Sequence, residues 1–246
     1  MLIDKYFSNM KEVLNRIEAT QTGRIKDASG MIVSSLKNGG AVHLLDTGHM
    51  LSHEVIGRAG GLMLITPINI GINIDNPARI RKGQEKKQVF WDEIEGLPGY
   101  ILNKSKVFAG DVLIIASVSG KNVLPVETAL QARTMGVKTI AITSVEYSRN
   151  LKSAHSSGKL LFEAADLVLD NCCPYGDAVV GDEKLQVKIC PGSGIAGAYL
   201  MWALTAQITE DLMNSGVKPS IYMSNHLEGA DEANRGAMRV FQETGF

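Results

Sequence analysis

Gly110-Asp111-Val112-Leu113-Ile114-Ile115-Ala116-Ser117-Val118-Ser119-Gly120-Lys121-Asn122 is the stretch that decides the fold of this 246-residue chain. Val112 to Ser117 is a continuous apolar run, and a run without polar alternation marks a strand covered on both faces. Pro125 to Met135 follows as a helix: Pro125 suits a first turn, Glu127 lies near the positive helix end, and Gly136 suits the stop. Lys138 to Thr143 is then another apolar strand. Strand and helix alternating in this way indicate an α/β fold with a doubly wound parallel sheet.

Reading outward, Ala41 to Asp46, Leu62 to Thr66 and Leu167 to Asp170 extend the set of strands, with a helical stretch from Ser52 to Ala59. Ile3, Phe7, Met10, Val13, Leu14 and Ile17 form one apolar helical stripe. A second helix carries Ile25, Ala28, Ile32 and Leu36 and stops at Gly39-Gly40. From Ile70 to Lys106 the chain is polar, with basic clusters at Arg79-Ile80-Arg81-Lys82 and Lys86-Lys87, and is read as a connection plus a helix from Trp91 to Leu102. Leu185 to Cys190 reads as a further strand and Ala196 to Met213 as a long closing helix. The expectation is a single domain over 1–246, with N-terminal helices in 1–40 packed on the sheet or on a partner subunit, and a C-terminal tail over 217–246.

Apolar residues make up 45% of the chain, enough for a sizeable core, and 25 Lys plus Arg stand against 26 Asp plus Glu. So even a balance points away from nucleic acid and anionic membranes and toward a small ligand. No apolar run approaches the roughly 20 residues of a membrane span, and Asp4 and Lys5 interrupt any secretory leader at the N-terminus. A cytoplasmic location is expected. Cys172, Cys173 and Cys190 match neither a disulfide framework nor zinc spacing and are read as buried thiols; no cofactor and no metal are expected.

In open α/β sheets ligands bind beyond the carboxyl ends of the strands. The residues there are Asp46-Thr47-Gly48-His49, Ser117 to Asn122, and Thr143-Ser144. The Ser117–Asn122 loop runs into a helix, so its N–H groups and the helix dipole can face an anion. The Ser117 and Ser119 hydroxyls can add hydrogen bonds, and Gly120 permits close approach. The same residues would equally serve an ordinary turn and N-cap. Gly192-Ser193-Gly194-Ile195-Ala196-Gly197 matches G-x-G-x-x-G, but the acid expected about 20 residues on falls at Glu210-Asp211 inside a helix, which argues against a dinucleotide site.

The Gly110–Asn122 run resembles the central motif of the sugar isomerase (SIS) domain family, and Gly136 to Ser144 is similar to that family's next strand with its Thr-Ser end. Thr47-Gly48-His49, Arg58-Ala59-Gly60-Gly61, His155-Ser156-Ser157-Gly158-Lys159, Asp170-Asn171, Gly176-Asp177-Ala178 and Ser224-Asn225-His226 extend the resemblance to a branch like the phosphoheptose isomerases. It implies a flavodoxin-like, five-stranded parallel sheet with helices on both faces, a homodimer or homotetramer, and a phosphosugar site near the subunit interface. Ser117, Ser119, Gly120 and Asn122 fall on the implied phosphate loop, with Thr143 or Ser144 beside it and Gly48 and His49 on the first loop. Relatives carry Ser directly after the Gly-His; here Met50 stands there, and Ser52 is the candidate replacement.

Aldose–ketose isomerisation through an enediol needs a carboxylate base and a proton shuttle. Glu54-Val55-Ile56-Gly57-Arg58 resembles the helix that bears the catalytic glutamate of phosphoheptose isomerases, making Glu54 the candidate base. Exposed helix-surface glutamate is the ordinary alternative. His155 is a candidate acid or ring opener, and His226 could reach a neighbouring subunit's site, although either imidazole would also serve a structural hydrogen bond. His53 beside Glu54 raises a zinc alternative, but adjacent helical residues diverge by about 100 degrees. Three readings stay open: a phosphosugar isomerase, an aminosugar-phosphate deaminase, and a non-catalytic phosphosugar sensor. No DNA-binding helix-turn-helix is evident at either end.

Overall fold

The computed structural model describes residues 1–48, 50–75, 77, 79, 83 and 90–246. The candidate His49 and all of the basic clusters except Arg79 lie outside the described residues. Five parallel strands, β1 (Val42–Asp46), β2 (Ile65–Pro67), β3 (Val112–Ala116), β4 (Lys138–Thr143) and β5 (Leu167–Asp170), form one sheet in the order β2-β1-β3-β4-β5.

Alternate side chains of a strand point to opposite faces, and both faces are covered. Val112, Ile114 and Ala116 of β3 join the core beneath α1 (Leu2–Lys37) and α7 (Ser193–Asn214), whereas Leu113 and Ile115 join the core beneath α3 (Leu97–Lys104), α4 (Val123–Thr134) and α6 (Leu161–Ala164). All five β3 residues are fully buried. That is why the run shows no alternation, and the doubly wound reading holds.

Several boundaries differ from the sequence expectation. The two N-terminal helices are one, α1, spanning 36 residues. Gly23 and Gly30 lie on its exposed side, where each costs roughly 1 kcal/mol against alanine. The stripe Met10, Val13, Ile17, Ile25, Ala28, Ile32, Leu36 continues past them into the core, and that burial outweighs the glycines. Gly40 is required at the exit of α1, because a Cβ there would sit 2.8 Å from the Gly110 carbonyl oxygen.

The Ser52–Ala59 helix shrinks to α2 (Ser52–Val55), ended by Gly57 at φ +67°. Trp91–Leu102 splits into a 3-10 turn over Trp91–Glu93 and α3, divided by left-handed Gly96. The expected 62–66 strand begins only at Ile65; Leu62 instead forms an isolated antiparallel bridge to Ile221. Of the 185–190 strand only the end survives, as β7 (Ile189–Pro191), paired antiparallel with β6 (Ala178–Val180) outside the main sheet. The 217–246 tail holds a helix, α8 (Ala230–Thr244), after α5 (Val145–Arg149) and the earlier helices. Among the described residues no helix is long and apolar enough to cross a membrane.

Candidate active site

β1 lies between β2 and β3, so the chain leaves β1 toward one side of the sheet and β3 toward the other. A crevice opens at such a reversal, and in this strand order it falls between β1 and β3. The register pairs Asp46 with Ala116 and Ala116 with Ile142, bringing the loops after β1, β3 and β4 to one edge.

The β1 loop is organised by Asp46, which the sequence reading listed only as a strand end. Its carboxylate accepts N–H groups from Gly48, Met50, Leu51 and Ser52 at 2.7–3.2 Å, and the Ser52 hydroxyl at 3.1 Å. Ser52, expected to contact phosphate, therefore spends its hydroxyl on Asp46. Burial acts to raise the Asp46 pKa, but the N–H groups of Leu51, Ser52 and Gly48 outweigh it and hold the carboxyl below its ordinary 3.8. With the folded value the lower one, this loop's contribution is complete above pH ~4 and is lost as pH falls through the folded value. Urea midpoints of the wild type and Asp46→Asn are expected to differ most near neutrality and to converge on acidification. A gap independent of pH would show that the carboxylate charge does not hold the loop.

The β3 loop presents donors to a ligand. The Val118, Gly120 and Lys121 carbonyls are taken by N–H groups of Ser144, Leu161 and Ala154. Among the described residues no acceptor faces the N–H groups of Ser119, Gly120, Lys121, Asn122, Val123 or Leu124, nor the hydroxyls of Ser117 and Ser119. Ser117 is buried at the carboxyl end of β3. The unpaired amides run into the first turn of the 12-residue α4, where the helix dipole favours negative charge. Gly120, at φ +56°, is packed so that a Cβ would stand 3.0 Å from Thr143 Oγ1 and Leu161 Cβ.

The neighbouring candidates are used internally. Thr143 donates its hydroxyl to the Val118 carbonyl at 3.0 Å, and Ser144 donates to the Cys173 carbonyl at 2.7 Å while accepting from the Tyr147 N–H. Both are fully buried and brace the β3 loop from behind. The Asn122 amide donates to Asp92 at 3.1 Å.

The three catalytic candidates are not brought together. Glu54, exposed on α2, stands 3.5 Å from Arg58 and lines a cavity of 820 Å³. His155 is held elsewhere: its Nδ1 accepts the Ser157 N–H at 3.1 Å, which leaves the proton of a neutral ring on Nε2, 3.9 Å from Glu127 Oε2. Glu127 is buried and accepts the Gly96 N–H at the start of α3. His226 lies in a second hollow with Gly57, Ala59 and Asn234.

The cavity sits at the β1/β3 crevice, within the ~300–1,000 Å³ usual for small-molecule sites. Gly48 and Met50 reach it from the β1 loop, His53 and Glu54 from α2, Val118 from the β3 loop, and Ser193, Gly194, Ile195, Ala198, Tyr199 and Trp202 from α7. The sequence reading missed the α7 wall. Its signal was present: apolar residues at 195, 198, 199 and 202 make a second helical stripe beside the core stripe of Ala196, Leu200 and Leu204.

The Gly192–Gly197 run follows antiparallel β7, not a strand of the parallel sheet, and so lacks the dinucleotide-binding context. Its first amides are capped by Asp177, which accepts the Ser193 N–H at 2.8 Å and hydroxyl at 2.7 Å. Cys172 and Cys173 are buried, Cys173 against Gly192, and Cys190 is half-buried. Burial, then Asp177, pushes the Cys173 thiol up to about 12, so it stays protonated. Among the described residues no group of three His, Cys, Asp or Glu side chains comes together to hold a metal ion, and the adjacent His53 and Glu54 do not make one.

Residues 5–144 match the family model of the SIS domain. A fold with a donor-lined loop after a central parallel strand is thus that of a SIS-domain protein, and the chain belongs to that family. Within it, the chain belongs with the UPF0309 proteins. It is 34% identical to one from Geobacillus kaustophilus, covering 98% of this chain and 95% of the relative, and 34% identical to one from Caldanaerobacter subterraneus subsp. tengcongensis over 95% and 94%. The fold is shared with the solved phosphoheptose isomerase of Francisella tularensis, with a TM-score of 0.52 at 15% identity over 85% of this chain and 96% of that one.

Proposed function

We propose that this protein binds a phosphorylated sugar in the β1/β3 crevice and interconverts its aldose and ketose forms through an enediol. The observation that carries the reading is the run of unpaired donors from Ser117 to Leu124, contiguous through Val118 with a cavity that has Glu54 in its wall. The phosphate is held by the Ser117 and Ser119 hydroxyls and the α4 amides. Gly48 bounds the sugar on the β1 side, while Asn122, Thr143 and Ser144 shape the loop from behind.

Glu54 removes the proton from the carbon next to the aldehyde, and the electron pair moves to give the enediol. His53, beside it in the cavity wall, passes a proton between the two oxygens, and Glu54 returns its proton to the former aldehyde carbon. Phosphoheptose isomerisation in a shared-fold relative agrees with this class of chemistry. In wild-type protein incubated with hexose and heptose phosphates in D2O, deuterium is expected at carbon one of the ketose and, through the reverse reaction, at carbon two of the aldose. Glu54→Gln is expected to lower that exchange at least ~100-fold while sugar phosphate still binds; retained turnover would remove Glu54 as the base.

One observation favours a second reading, a sensor that binds phosphosugar without converting it. His155 faces its own chain through both ring nitrogens and His226 lies in another hollow, so neither stands opposite Glu54 within one chain. Binding with no exchange for any bound sugar would select the sensor. Assembly as a homodimer or homotetramer, with His226 serving a neighbour's site, is supported by exposed Leu2, Ile3 and Phe7 at the start of α1.

A further inference from the structure

Resting on the phosphosugar reading above, we infer that Asp177 sets which way round the ligand lies: its carboxylate closes the start of α7 to phosphate, so that the phosphate goes to the β3 loop and a sugar with a phosphate at each end is turned away. Two helices begin at this crevice, α4 on one face of the sheet and α7 on the other. Either helix start draws an anion. By sequence α7 is the better suited, with 22 residues behind an opening Gly192-Ser193-Gly194, and neither helix has an acid in its own first turn.

The structure treats the two starts oppositely. At α4 the amides from Ser119 to Leu124 meet no acceptor among the described residues. At α7 the Asp177 carboxylate accepts the Gly192 N–H at 3.2 Å, the Ser193 N–H at 2.8 Å and the Ser193 hydroxyl at 2.7 Å. Asp177 comes from the loop before β6 and is held in the left-handed region at φ +66°, with its own carbonyl taken by the Gly192 N–H. Among the described residues no Lys, Arg or His pairs with it, whereas Glu54 in the same cavity wall has Arg58 at 3.5 Å. His53 is the one basic side chain of that wall among the described residues.

The Gly194 and Ile195 amides are left without acceptors, yet an anion reaching for them would stand beside a fixed carboxylate. At about 5 Å a carboxylate weakens the binding of a phosphate dianion roughly tenfold even at the dielectric constant of water. Discrimination then comes from an unmatched charge rather than from a lack of room. A hexose bisphosphate has about twenty non-hydrogen atoms, about 600 Å³ at the ~30 Å³ that a water molecule takes in the liquid, and the cavity holds 820 Å³. With the phosphate kept at the β3 loop, the far end of the sugar lies toward Glu54.

The test is calorimetric titration of the full chain with fructose 6-phosphate and fructose 1,6-bisphosphate, at about 20 mM and about 300 mM salt. The monophosphate is expected to bind the wild type about tenfold more tightly at low salt, and the ratio to narrow at high salt as the charges are screened. Asp177→Asn keeps an oxygen for the Ser193 N–H, suits the left-handed backbone and removes the charge. It is expected to bring the low-salt ratio below about threefold while monophosphate affinity stays within about twofold of the wild type. An unchanged ratio in folded Asp177→Asn would overturn the inference. So would a wild-type ratio near one, or one that salt does not alter, and these two outcomes need no variant. In each of these cases the monophosphate still binds and the phosphosugar reading stands. Binding of neither sugar by the wild type would overturn that reading and this inference with it.

Discussion

The Ser117→Ala, Ser119→Ala double variant is expected to lose at least ~100-fold in affinity for sugar phosphate while keeping the wild-type urea midpoint. In the proposed site each hydroxyl donates to a charged oxygen, and such bonds contribute about 1.5–3 kcal/mol, so losing two would remove roughly 3–6 kcal/mol of binding. The fold loses almost nothing, because neither hydroxyl has a partner among the described residues. By contrast, the Thr143 hydroxyl holds the loop through the Val118 carbonyl, and the Ser144 hydroxyl ties the end of β4 to the Cys173 carbonyl after β5. Alanine at those two positions is expected to lower stability first and affinity only in consequence. Calorimetry with a panel of hexose and heptose phosphates checks the double variant, and unchanged affinity would remove the β3 loop as the phosphate site.

A second large effect is expected at the opposite end of the same strand. Asp111, just before β3, accepts the N–H groups of Ala41 and Phe108 at 2.8 Å each and faces His43 Nε2 of β1 at 2.9 Å. Both side chains are more than nine-tenths buried. On the other side of the ring, Thr66 stands 3.4 Å from His43 Nδ1 while giving its own proton to the Val42 carbonyl.

Asp111→Ala takes the acceptor from a buried imidazole and from two part-buried backbone donors. Breaking a buried pair from one side costs about 3–5 kcal/mol, a large share of the ~5–15 kcal/mol that holds a domain folded. Asp111→Asn keeps one acceptor oxygen in place and is expected to lose less. Urea unfolding of the three proteins decides the matter. A loss below about 1 kcal/mol in Asp111→Ala would mean that water reaches these groups and satisfies them.

Most of the fold was legible from residue order. Val112 to Ala116 announced a doubly covered strand because both faces are buried, and the strand-helix alternation around it fixed the parallel, doubly wound class. The Ser117–Asn122 loop was legible for the same local reason: a strand end leading directly into a helix start places amides and hydroxyls together whatever the rest of the chain does.

Other features needed the folded molecule. Whether Gly23 breaks the first helix depends on how much apolar surface α1 buries against α7, which is a property of two segments far apart in sequence. Asp46 reads as a strand end, yet its partners are amides four to six residues on, gathered only when the β1 loop closes over it. Glu54 and His155 are both catalytic candidates in the sequence. Tertiary structure set one in a cavity wall and turned the other toward Glu127. The α7 wall is the clearest case. A helix apolar on two faces declares that both will be covered, but only the crevice between β1 and β3 shows that the second face borders a ligand-sized cavity. Local interactions run along the chain and can be read there; a site assembled from β1, β3 and α7 is made of distances that the chain order does not contain.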